Sequence, residues 1–226
     1  MRRRWLTTFI LLACACVLTD CAGRQERKIE FVYLALGASD TTGVGAVPLS
    51  DGYVYQIKRE LERRRPGVFL INLGVPGAKI DLIKEQVRVA QQVNVKADLV
   101  TLWTGANDLV RGDAVEPFQR DLRFVLETLR DDLSDTIVIA NLPDLTQLPR
   151  FKAMPHRSVT EARIASFNRA IELEAKRVNA KVVDLSGAPI KDEWVSNGDG
   201  FHPDNEGHRA IAERFVAVIL PVLNQR

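Results

Sequence analysis

Three residues of this chain have the types and spacing for acyl transfer, and they lie at opposite ends of it. Ser39 sits between a small residue and an acid in "LALGASDTTGVGA", Leu34 to Ala46, where an apolar run breaks into glycines and hydroxyls. A serine alcohol is a weak nucleophile near neutral pH and needs a base. "DGFH" offers one: His202, with Asp199 three residues earlier on the same turn. At that spacing a carboxylate can hold the imidazole Nδ1–H and leave Nε2 to take the serine proton. Attack on a carbonyl builds negative charge on oxygen, so hydrogen-bond donors must converge there. The backbone N–H groups of Ser39 and Gly77 and the side-chain amide of Asn107 are the candidates, in "GASD", "NLGVPGAK" and "WTGANDL".

Taken singly, each of these residues has a plainer reading. A serine in a glycine-rich turn, an Asn-Asp pair opening a helix and a histidine before a proline all occur for conformational reasons. What argues for chemistry is their common position relative to the secondary structure. "IEFVYLALG", "VFLINLG", "ADLVTLWTG", "TIVIANLP" and "AKVVDLSG" read as five strands, each followed by an amphipathic helical stretch. In "AKIDLIKEQVRVAQQV", for example, Ile80, Ile83, Val87 and Ala90 fall on one face. The helix in "SDGYVYQIKRELERRR" is expected to open on Ser50 or Asp51 as N-cap. Alternating strands and helices imply a parallel sheet with helices on both faces, and ligands of such sheets bind beyond the carboxyl ends of the strands. All the candidate groups follow strand ends or precede the last helix.

Of the 226 residues 46% are hydrophobic and 27% charged, which fits one folded domain large enough for its own core. The first residues stand apart. "MRRRWLTTFILLACACVLTDCAG" has three arginines and then an apolar run too short for a comfortable membrane span, so residues 1–21 read as a secretory signal. Cys14, Cys16 and Cys21 all lie in this leader, leaving no cysteine for a disulfide in the domain. "LTDCAG" resembles a bacterial lipobox, which implies lipidation of Cys21 and a membrane-held product; Asp20 departs from that pattern. Residues 22–28 form a polar tether, and 29–226 the domain. Lys+Arg number 31 and Asp+Glu 29; residues 1–20 hold three Arg and one Asp, which leaves 28 against 28. A neutral domain gives no reason to expect a nucleic-acid partner.

Four blocks together resemble the GDSL/SGNH hydrolase superfamily: "GASDTTG" around the serine, "NLGVPGA" with its glycine, "GAND" with its asparagine and "DGFHP" with its aspartate and histidine. They occur in order across the whole domain. One departs from the family, because GASD replaces the usual GDS and puts Ala38 where an acid normally stands. The resemblance implies an α/β, three-layer α/β/α sandwich with a flavodoxin-like sheet in the order 2-1-3-4-5. It also implies esterase or lipase chemistry on a small-molecule or lipid ester, with neither metal nor cofactor. Residue by residue, it makes Ser39 the nucleophile, Gly77 and Asn107 oxyanion donors, and Asp199 and His202 the rest of a triad.

Other readings stay open. The same groups serve a carbohydrate O-deacetylase or an acyltransferase, and Ala38 leaves room for a non-catalytic envelope ligand-binding protein. No G-x-S-x-G elbow surrounds Ser39, and no phosphate-binding glycine pattern follows the first strand. Asp40 reads as a solvated or capping acid, His156 as a loop residue, and His208 as a helix-surface histidine, since with Asp204 it fits no common zinc spacing. The connection Asn141 to Ser158 is long, and Leu148, Phe151 and Met154 in it either line an acyl pocket or cover the sheet edge.

Overall fold

The computed structural model describes residues 29–225. The leader, the tether and the Cys21 assignment lie outside the described residues. Five parallel strands form one sheet in the order β2-β1-β3-β4-β5. They are β1 (Phe31–Gly37), β2 (Val68–Asn72), β3 (Leu99–Trp103), β4 (Ile137–Ala140) and β5 (Lys181–Val183). This is the architecture and order that the resemblance implied.

Side chains alternate across a strand, so a sheet buried on both faces must be apolar in both registers. Leu34 and Leu36 of β1 join one core, with Val100, Leu102, Ile137 and Ile139. Three helices close that face: α3 (Ile80–Gln92), α5 (Val115–Thr128) and α7 (Glu161–Arg177). Tyr33 and Ala35 face the other way, under α2 (Tyr53–Glu62) and α8 (Asn205–Leu223). The face assigned to α3 from sequence, Ile80, Ile83, Val87 and Ala90, is buried throughout.

Helix α2 starts later than its sequence suggests. Leu49–Asp51 form a short 3-10 turn and Gly52 is the N-cap, so neither Ser50 nor Asp51 caps the helix. The residue that takes up an α2 N–H is His208 of α8, whose Nδ1 accepts from Tyr53 N at 3.2 Å. Three short helices also appear in what read as loops: α1 (Ser39–Thr42), α4 (Ala106–Arg111) and α6 (Pro149–Ala153). The register sets Gly37 opposite Trp103 and Trp103 opposite Ala140. The connections after β1, β3 and β4 therefore leave one edge of the sheet together, and the site is built there.

Candidate active site

Strand β1 runs into its turn through Gly37, where a Cβ would lie 2.1 Å from Thr41 Oγ1 and 2.7 Å from Trp103 O. Only a glycine lets the turn fold this tightly against β3. Ser39 opens α1 and is 6% exposed, so its hydroxyl is enclosed rather than presented bare to solvent. It lies 2.8 Å from His202 Nε2, across 163 residues of sequence. His202 Nδ1 in turn contacts Asp199 Oδ2. The carboxylate can only accept, so Nδ1 carries the proton and Nε2 is free to accept from the Ser39 hydroxyl. Asp199 Oδ1 takes the backbone N–H groups of Phe201 at 2.9 Å and His202 at 3.0 Å. Burial raises the Asp199 carboxyl, but the bonds from the His202 ring and these two N–H groups outweigh it and hold the acid below its ordinary value.

Asn107, in the first turn of α4, shares with Ser39 a small pocket of about 10 Å³, whose wall continues through Thr104, Gly105 and Ala106. That is room for about one water-sized group. Asn107 Nδ2 donates to Ala78 O at 2.9 Å. Gly77 is the preceding residue, exposed on the turn between β2 and α3 with φ of +80°, and it does not line the small pocket. The structure thus joins Ser39, His202 and Asp199 in one hydrogen-bonded chain and sets Asn107 beside it. Gly77 is linked to that group through its neighbour Ala78.

Sequence reading missed the side chains that hold these loops. Buried Gln86 of α3 clamps Gly37, accepting its N–H at 3.0 Å and donating to its carbonyl at 2.8 Å. Asn168 of α7 does the same to Leu142, at 2.8 and 2.9 Å. Asn205, at the start of α8, does so to Val47, at 2.7 and 2.9 Å. The legible signal for Gln86 and Asn168 is an amide on the apolar face of an amphipathic helix. A buried amide must find both a donor and an acceptor, and one residue's backbone supplies the two.

Two acid-base residues differ from expectation. His208 is fully buried, not on the helix surface: Nδ1 accepts from Tyr53 N, Nε2 donates to Val44 O at 3.0 Å, and the ring stacks on Tyr53. Burial lowers its pKa. Asp40 lies in the wall of the site instead of in solvent, and burial raises its carboxyl while His202 and His208 pull the other way. His156 is a loop residue, with Nδ1 accepting from Ser158 N at 3.3 Å. Among the described residues no group of three His, Cys, Asp or Glu is arranged to hold a metal ion.

Comparison with known proteins gives the family. Residues 35–210 match the model of the GDSL-like lipase/acylhydrolase family. The spore germination lipase LipC of Bacillus licheniformis is 27% identical, over 82% of this chain and 94% of its own length. The uncharacterized protein YpmR of Bacillus subtilis is 25% identical, over 93% and 91%. Among solved structures, the esterase EstA of a Pseudoalteromonas species, inhibited by monoethylphosphonate, superposes with a TM-score of 0.69 at 18% identity, covering 86% of this chain and all of its own. The acetylxylan esterase Axe2 of Geobacillus stearothermophilus does so with 0.66 at 19%, covering 85% and 95%. The family model spans most of the domain and includes the serine, glycine, asparagine, aspartate and histidine blocks. The chain therefore belongs to the GDSL-like lipase/acylhydrolase family and is an ester-hydrolysing serine hydrolase.

Proposed function

We propose that this protein is an exported, lipid-anchored esterase in which Ser39, His202 and Asp199 form the catalytic triad. The observation that carries the reading is the unbroken chain from Ser39 Oγ to His202 to Asp199. Ser39 Oγ attacks the ester carbonyl carbon as His202 Nε2 takes its proton, and Asp199 stabilises the imidazolium. The oxyanion is held by Ser39 N–H, Gly77 N–H and the Asn107 side-chain amide; Gly77 reaches it through a shift of its exposed turn. Collapse breaks the bond to the alcohol, which leaves with the proton from His202. Water then attacks the acyl-enzyme, gives its proton to His202, and the acid departs as Ser39 regains its hydrogen.

The test is turnover of p-nitrophenyl acetate together with fluorophosphonate labelling. Ser39→Ala is expected to lose at least about a thousandfold in kcat/KM and all labelling. Turnover retained in that variant refutes the assignment. Export and anchoring rest on the leader alone: a palmitate analogue should label the wild type and not Cys21→Ser, and label persisting in the mutant rejects Cys21.

A further inference from the structure

A second and larger cavity, of about 110 Å³, adjoins the small pocket at Ser39. The two share Asp40, Trp103, Ala106 and Phe201 in their walls, so they lie side by side at the serine. Beyond that junction the larger cavity is bounded by the segment between β5 and α8, through Leu185, Ile190 and Trp194, and by Ala210 and Ile211 of α8. Its charged lining residues are Asp40, Lys191 and Arg214, and the last two are exposed residues with solvent available to their head groups. The Trp103 indole N–H is buried without a partner among the described residues.

Of the connection Asn141 to Ser158, Pro143, Leu145 and Leu148 line this cavity, whereas Phe151 packs edge-on against Phe201 outside the lining and Met154 is 77% exposed.

We infer that this cavity is the acyl-chain site and selects esters of short aliphatic acids. The inference rests on the esterase reading above and adds the substrate class. A carbonyl carbon at Ser39, with its oxygen in the one-atom pocket, leaves two directions for substituents. The apolar direction suits the hydrocarbon, because removing a methylene from water favours binding by about fourfold per carbon. The alcohol, which must depart, takes the solvent side. A cavity of ~150 Å³ holds a benzene molecule. At 110 Å³ this one takes a little less, so the preferred acyl group has about four to six carbons in all.

Both tryptophans of the described residues, Trp103 and Trp194, stand in this wall, so their fluorescence reports occupancy without any turnover. The experiment compares wild type, Ala210→Phe, which fills the cavity, and Ile190→Ala, which enlarges it. The kcat/KM is measured for p-nitrophenyl acetate, butyrate, hexanoate and octanoate, and for methyl and hexyl acetate. Hexanoate is titrated against tryptophan emission in parallel. The wild type is expected to prefer butyrate or hexanoate to acetate by about tenfold or more. Ala210→Phe should lose that preference, and Ile190→Ala should move the optimum about two carbons longer. Hexanoate should change the emission of the wild type and not of Ala210→Phe.

An acyl preference untouched by both substitutions overturns the inference, as does an effect on the alcohol series instead. Should no ester be turned over and Ser39 resist fluorophosphonate, the esterase reading falls. In that event the hexanoate titration still decides whether the cavity accepts an acyl group. If acetate is hydrolysed but hexanoate leaves the emission unchanged, the esterase stands and the acyl site does not.

Discussion

Gln86 holds both backbone polar groups of Gly37, two residues before the serine that touches His202. The carbonyl of Gly37 also accepts from Val75 N at 3.1 Å, whereas its N–H donates to the Gln86 side chain. Gln86→Leu therefore leaves a buried donor unpaired, which costs about 2 kcal/mol and lowers Tm by roughly 4–8 °C. If the clamp also positions Ser39, kcat falls by about tenfold or more with KM little changed. Thermal denaturation and steady-state kinetics on one short ester separate the two effects.

Asn205 ties the loop after Ser39 to the segment that carries His202. Its pair of bonds to Val47 spans 158 residues, and Gly45, with φ of +97°, packs so closely that a Cβ would lie 2.1 Å from Pro203 O. Asn205→Ala removes the clamp at an exposed position, so stability should change by about 1 kcal/mol or less. The expected signature is a kcat lowered about three- to tenfold with KM unchanged. Kinetics identical to wild type would show that Gly45 and His208 align the two segments without it.

Asp108, 1% exposed, accepts Ile80 N at 3.1 Å with Oδ1 while Oδ2 has no partner among the described residues. Burial pushes its pKa up to about 6, and nearby Asp113 adds in the same direction. The raised value means that the fold favours the protonated acid. Its contribution is full below the unfolded value near 4 and is lost as pH rises through about 6. Asp108→Asn stays neutral and keeps an acceptor for Ile80. It should be the more stable protein above pH 7, by up to ~3 kcal/mol, and the difference should vanish near pH 4. Urea denaturation at pH 4, 6 and 8 gives the comparison.

His208 acts with the opposite sign in a different window. Its neutral ring uses both nitrogens, and protonation at Nδ1 would set a donor against Tyr53 N–H. With the folded pKa depressed by burial, its contribution is present above the unfolded value near 6.5 and lost as pH falls below it. His208→Phe is expected to be less stable at pH 8, by about 2 kcal/mol for the two lost bonds, and to lack this acid-side loss between pH 7 and 5. Equal slopes for the two proteins over that range would reject the assignment.

Much of the fold was legible because its causes are local. Strand β1 is apolar in both registers since both its faces are covered, and α3 carries Ile80, Ile83, Val87 and Ala90 at a helical period because one face is buried. Those patterns, with turn residues after each strand, specify a parallel sheet and the edge where a site must lie. Ser39, Asn107, Asp199 and His202 were singled out as candidates on that basis, aided by the order of the four blocks.

What lay beyond reach depends on which distant segments meet. Helix periodicity shows that Gln86 faces inward but not that Gly37 waits there, and it cannot distinguish a surface His208 from one enclosed by Tyr53 and Val44. Asp40 reads as a solvated acid until His202 and the wall of a cavity close over it. The sequence by itself determined the layers, the sheet edge for a site and the candidate groups at it, because alternation and helical period are properties of neighbouring residues. Tertiary structure alone decided the amide clamps, the protonation-sensitive contacts and the apolar cavity beside Ser39, because each is a contact between residues that only the closed sheet and its helices bring together.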